Sequence, residues 1–157
     1  MGGRRFDIVY TGIGALGWLP DLHVWARVVA ALLRPAGVLY LVEIHPIVIG
    51  VLGDGRTITN DILDAEYIEW DEKGGTYAAP EATFQHTTTF ERAHALSDVV
   101  TAILDAGLTL ELLHEQSYTN APWPWTVLGE DGYYRLPAES PRFPLTYSLR
   151  ARLPKLS

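Results

Sequence analysis

Two clusters of residues have the types and spacing to do chemistry. The first is Gly12, Gly14 and Gly17, spaced G-x-G-x-x-G behind the extended run Phe6-Asp7-Ile8-Val9-Tyr10. Glycines at this spacing let a backbone turn tightly and approach a pyrophosphate, while an acid further along, here Glu43, holds a ribose. That fingerprint also needs a helix opening inside the loop, so that its amide dipoles face the phosphate. Trp18 and Leu19 intervene here, and the helix signal Pro20-Asp21 comes only after them. A loop that a ligand approaches fits these residues better than a phosphate cradle.

The second cluster is Glu43-Ile44-His45-Pro46, behind the apolar run Val38–Val42. Two titratable residues spaced two apart leave a strand on the same face. Such a pair can orient and deprotonate a substrate, His45 being the better base near neutral pH. The same residues also suit a packing role, with His45 bonded to a neighbouring loop and Glu43 satisfying backbone amides. No serine lies in a G-x-S-x-G setting, so nucleophilic serine catalysis is not expected. No H-x-x-x-H or H-E-x-x-H pair occurs among the histidines, so no metal site is expected either.

The elements that must position these clusters read as strand, helix, strand. Asp7–Thr11 is β-branched and aromatic, as a buried parallel strand is. Leu22, Trp25, Ala26, Val29, Leu32 and Leu33 recur at helical spacing, with Pro35 and Gly37 ending the helix. Val38–Val42 follows as a second strand, and the unit is a right-handed crossover of an α/β sheet. Ligands of such sheets bind beyond the carboxyl ends of the strands, where both clusters fall.

From Ile47 to Phe90 the periodicity dissolves, leaving extended pieces at Glu66–Trp70 and Thr83–Phe90. Residues 47–92 read as an insertion covering the substrate side, and Asp71-Glu72 within it as a solvated turn. Leu96, Val99, Val100, Ile103 and Leu104 mark a helix closed by Gly107, and Leu108, Leu110 and Leu112 another strand. Asn120–Arg142 reads as a loop rich in proline, glycine and tryptophan. Within it Pro122-Trp123-Pro124-Trp125 is either an aromatic rim over a pocket or a hydrophobic plug. Leu145, Tyr147, Leu149 and Ala151 line one face of a last strand. The whole reads as one domain, without repeat or linker.

Composition narrows the partners. The chain has 157 residues, 48% hydrophobic and 20% charged, a globular balance. A net charge of −7 with scattered basic residues argues against nucleic acid. No apolar run approaches the roughly 20 residues that span a bilayer. The absence of cysteine excludes disulfides and fits a reducing cytoplasm.

Several of these segments, in this order, resemble a class I S-adenosylmethionine-dependent methyltransferase of a bacterial subgroup. They are Phe6-Asp7-Ile8-Val9-Tyr10, Gly14–Asp21, Leu32-Leu33-Arg34-Pro35-Ala36-Gly37, Glu43–Pro46, Leu104–Leu108, Leu112–Glu115 and Pro144–Ala151. Ala36 stands where the family's turn has its first glycine. The resemblance implies a partial Rossmann-like sheet, made of the strands that are fourth to seventh in the family, the last antiparallel. It implies S-adenosylmethionine as cofactor, contacted by Thr11, Gly12, Ile13 and Gly14. It also implies a small-molecule acceptor met by Trp18, His94 and Trp123, with His45 and Glu43 as the catalytic candidates.

The family's glycine-rich cofactor loop and acidic ribose ligand belong to earlier strand–helix units, which this sequence does not contain. The expected consequences are a chain inactive by itself and an exposed sheet edge prone to self-association. Two alternatives remain at this level: a fragment of an NAD(P)-dependent Rossmann oxidoreductase, or a non-catalytic partner-binding module.

Overall fold

The computed structural model describes residues 3–63, 66–71, 79 and 81–155. Glu72 lies outside the described residues.

The N-terminal apolar run forms β1 (Phe6–Thr11), and Val38–Val42 lies within β2 (Leu33–Ile44). The two run parallel, with Val9 beside Leu39 and Thr11 beside Leu41. Between them runs α1 (Leu22–Leu32), whose first turn is capped by the Asp21 carboxylate accepting the Val24 amide at 2.9 Å. Leu22, Ala26 and Val29 form its buried stripe.

The helix stops before Pro35 is reached. Leu33 is already extended and paired with Phe6, and Arg34–Gly37 is absorbed as an irregularity of β2. Ala36 makes that turn at φ 65°, a left-handed conformation that glycine adopts at lower cost. At Gly37 a Cβ would lie 2.9 Å from the Arg34 carbonyl oxygen and 3.0 Å from that of Phe6, so only glycine fits without movement.

Two further strands, β5 (Thr109–Gln116) and β9 (Thr146–Arg152), complete a sheet ordered β1-β2-β9-β5. Strand β9 is antiparallel to both neighbours, as the resemblance implied. Helix α3 (Leu96–Asp105) packs beside α1 on one face, burying Leu39, Leu41, Tyr147, Leu149 and Ala151. The other face is covered where Thr146 and Ser148 of β9 are buried, and exposed toward β1. Ile8 is 67% exposed and Tyr10 62%, and the Tyr10 and Tyr40 rings stack with centroids 6.1 Å apart. Among the described residues strand β1 has a neighbour on one side only. Arg150 and Arg152, on strand β9, both pair with Glu111.

The stretch without periodicity is more ordered than its sequence suggests. A short helix, α2 (Pro46–Gly50), follows β2 at once. It has too few residues to display an amphipathic period. Then β3 (Ile68–Asp71) and β4 (Thr88–Glu91) pair antiparallel, β4 using only the end of the extended run Thr83–Phe90. The expected loop Asn120–Arg142 carries β7 (Val127–Leu128) and β8 (Tyr134–Arg135), which join β6 (Tyr118–Thr119) in a small sheet. Strands of two residues leave no alternation to read.

Candidate active site at the carboxyl ends of the parallel strands

The loop after β1 and the end of β2 are joined by one carboxylate. Gly14 and Ile44 donate their amides to Glu43 Oε1 at 2.5 and 2.7 Å, and Ala15 and Leu16 donate theirs to Oε2 at 2.9 and 3.0 Å. Gly14, at φ 79°, turns the successive amides of the loop toward one point. Such a concavity of N–H groups binds anions, and here the anion is the protein's own side chain, 6% exposed.

This geometry removes the basis of the dinucleotide reading. The loop amides that would meet a pyrophosphate and the acid that would meet a ribose are bonded to each other. The segment Leu16–Trp18 is a single 3-10 turn, and α1 starts only at Leu22, so no helix dipole faces the loop.

His45 begins α2. Its Nδ1 accepts the Ile47 amide at 3.2 Å, which places the proton on Nε2, 2.9 Å from Glu115 Oε1. The ring meets Tyr147 edge-on at 6.1 Å. Burial pulls its pKa below the ordinary histidine value, although Glu115 acts the other way. Across the sheet Glu43, Tyr147 and Glu115 stand side by side on β2, β9 and β5. Burial, and then the charge of Glu43, push the Tyr147 phenol well above its ordinary range.

A cavity of about 70 Å³ lies at the Glu43 and Tyr147 end of this row, lined also by Gly14, Leu16, Trp70, Arg92 and His94 among others. Its roof is the β3–β4 hairpin, tied down where the Arg92 amide donates to the Gly17 carbonyl at 3.2 Å. His94 is buried, and its Nε2–H donates to the Leu19 carbonyl at 3.0 Å. Burial lowers its pKa, opposed by the Leu19 carbonyl.

Of the sequence-derived candidates, Gly14, Glu43 and His94 meet in this cavity. Thr11 and Gly12 lie on the edge strand and its loop. Ile13 points elsewhere, into a second cavity of about 300 Å³ shared with Tyr40, Val42, Tyr118 and Thr146. Trp18 is half exposed and lines neither cavity. Trp123 also lines neither. It stacks on Trp125 at 6.1 Å, and Trp125 donates its indole N–H to the Leu52 carbonyl at 3.2 Å. Sequence reasoning did not single out Trp70 or Arg92. The signal available was the alternation of Glu66–Trp70, which places Trp70 and Ile68 on one face.

Among the described residues no group of three or more acids and histidines is arranged to hold a metal ion, and no helix is long and apolar enough to cross a membrane.

Comparison with known proteins supplies the class. No family model and no curated protein matches the sequence. Solved structures do match. An S-adenosylmethionine-dependent methyltransferase from Mesorhizobium loti superposes with a TM-score of 0.60 at 17% identity, over 97% of this chain and 63% of that one. One from Methanosarcina mazei gives 0.55 at 13% identity, over 99% and 64%. One from Clostridium acetobutylicum gives 0.56 at 11%, over 97% and 60%. The chain therefore has the fold of S-adenosylmethionine-dependent methyltransferases, present in part. It spans less than two thirds of the length of these structures.

Proposed function

We propose that this chain is the substrate-side portion of an S-adenosylmethionine-dependent methyltransferase acting on a small molecule in the cytoplasm. The observation that carries the reading is the likeness of its whole length to part of several such enzymes. The clamped loop at the carboxyl ends of β1 and β2 supports it, because that is where ligands of open α/β sheets bind.

Methyl transfer is a displacement at a sulfonium methyl, and the protein's main task is to align donor and acceptor and exclude water. S-adenosylmethionine, when bound, supplies the methyl group. Glu43 then acts as a positioning residue that fixes Gly14–Leu16 at the junction of donor and acceptor. Thr11–Gly14, at the carboxyl end of β1, would hold the methionine end of the cofactor. His94 and His45, both held neutral by burial, lie on the acceptor side.

The residues present fit only one end of the cofactor. Three amides of the loop are consumed by Glu43, so the loop offers no such donors to a carboxylate or ribose. Those contacts belong to the part of the fold that the chain does not span, and the chain alone is inactive. Fusing it to the N-terminal strand–helix units of a related enzyme and measuring cofactor binding tests this reading. Restored binding supports it, and a folded fusion that binds no cofactor opposes it.

A second reading rests on the exposed β1 side of the sheet. Ile8, Tyr10 and Tyr40 form an exposed apolar patch beside the unpaired edge of β1, a surface suited to a protein partner or a second copy.

A further inference from the structure

The larger cavity, of about 300 Å³, lies on the side of the sheet away from α1 and α3. Strand alternation and register place its floor. In β2, Tyr40 and Val42 alternate with the core residues Leu39 and Leu41, and Val42 stands opposite Ser148 of β9. Thr146 stands opposite Gln116 at the end of β5, so Val42, Ser148, Thr146 and Gln116 present their side chains to this one face.

The walls come from outside the central sheet. The small sheet brings Tyr118 of β6 and, just before β8, Tyr133, their ring centroids 4.9 Å apart. The loop after β1 brings Ile13. The Thr146 hydroxyl donates to the Tyr118 carbonyl at 2.8 Å, which ties wall to floor. The Arg135 guanidinium, itself paired with Asp131, lies 5.5 Å from the Tyr118 ring centroid and helps to fix that ring.

The chemistry of the lining narrows the occupant. Among the described residues it includes no acid, lysine or arginine, and Arg150 and Arg152 on the neighbouring strand are paired with Glu111. The rings are within reach of a ligand, Tyr40 being 40% exposed, Tyr118 36% and Tyr133 43%. The half-buried Gln116 donates to the Ser148 hydroxyl at 2.8 Å and accepts from Thr146 at 3.4 Å. One amide N–H and one carbonyl lone pair of Gln116 are left unused among the described residues. Asn120, exposed on the same lining, adds a second amide.

We propose that this cavity binds an uncharged aromatic ring carrying a hydroxyl group, a phenol. The tyrosine rings, Ile13 and Val42 receive the ring, and the Gln116 amide bonds the hydroxyl, which both donates and accepts. A carboxylate would meet no cation here, so its loss of water would go uncompensated. A sugar would turn hydroxyls toward Ile13 and Val42 and leave them unpaired. The volume admits one ring with its substituents. The site lies apart from the Glu43 clamp and does not rest on the methyl-transfer reading, although its occupant would touch Ile13, next to the Gly14 that Glu43 holds.

The test is a titration of the ¹⁵N-labelled full chain with phenol. The readout is the Gln116 side-chain amide cross-peak, identified by its loss in Gln116→Met. Three probes serve for comparison: anisole, which keeps the ring but lacks the O–H, benzoate, which adds a charge, and methyl glucoside. Phenol should shift the peak saturably and bind roughly 10-fold more tightly than each of the three. In Gln116→Met, followed at the Asn120 amide, the preference for phenol over anisole should vanish. Tyr133→Leu should weaken phenol binding roughly 5-fold. The probe series on the unaltered chain decides the matter even where a variant does not fold. No saturable shift, benzoate or glucoside bound as tightly as phenol, or an unchanged preference in folded Gln116→Met would overturn the proposal. No cofactor is present in this titration, so its failure would leave the cofactor test of the fusion untouched.

Discussion

Glu43 holds Gly14. The carboxylate at the end of β2 accepts the amide that the left-handed Gly14 turns inward, and the amides of Ala15, Leu16 and Ile44 complete its shell. One residue thereby fixes the loop after β1, the start of α2 and the floor of the cavity beneath the β3–β4 hairpin. The glycine pattern that suggests a phosphate cradle is built for an anion already inside the chain.

Replacing Glu43 by Gln puts an amide donor against backbone donors on one side of the clamp. The loss of charged hydrogen bonds and the stranding of buried amides should cost about 3 kcal/mol. Urea denaturation of Glu43→Gln should show a lower midpoint with an unchanged slope. An unchanged midpoint would mean that the clamp contributes nothing.

Ala36 occupies a left-handed turn that its methyl group disfavours, at φ 65°. Ala36→Gly should raise stability by about 0.5–1 kcal/mol, the relief of strain outweighing the added freedom of the unfolded chain. The neighbouring Gly37→Ala should do the reverse, because its Cβ would meet two carbonyl oxygens. Thermal melting of both variants checks the pair of signs.

Stability should fall as the pH drops below neutrality. His45 and His94 both have folded pKa values held below 6.5, chiefly by burial. The unfolded chain then binds more protons than the folded one once the pH falls below about 6.5. The loss should approach about 1.4 kcal/mol per pH unit for each histidine and level off below their folded pKa values. His94→Gln should make the slope shallower, and a flat profile between pH 7 and 5 would contradict the burial of both rings.

The bare face beside β1 should drive self-association. Ile8→Lys, at an exposed position, should leave the fold intact and shift sedimentation toward the monomer. An unaltered chain that stays monomeric at high concentration would refute this.

Much of the fold was legible because its central elements carry strong periods. The β1 run, the stripe of α1, the apolar centre of β2 and the alternation of Leu145–Ala151 all appear where their patterns place them, but β1 is a largely exposed edge strand rather than the buried one its apolar run suggests. What stayed hidden has local causes. Helix α2 has five residues, and β7 and β8 two each, too few to show any period. The turn at Arg34–Gly37 became part of β2 because Leu33 pairs with Phe6 as soon as the helix ends. Around the site, Glu43 and Gly14 could be named in advance, since their positions at and just after strand ends follow from sequence, and His94 from the family resemblance. Trp70 and Arg92 could not, because only the folding of the hairpin over β2 brings them to the cavity.

The central claim is that the chain is one portion of a methyltransferase whose cofactor contacts lie mostly beyond it. Calorimetric titration of S-adenosylmethionine into the chain alone, and into the chain fused to N-terminal strand–helix units of a related enzyme, tests this most directly. The expected result is no micromolar binding by the chain alone and micromolar binding by the fusion, since several hydrogen bonds worth roughly 1.5–3 kcal/mol each separate the two. Micromolar binding by the chain alone, or none by a folded fusion, would contradict it.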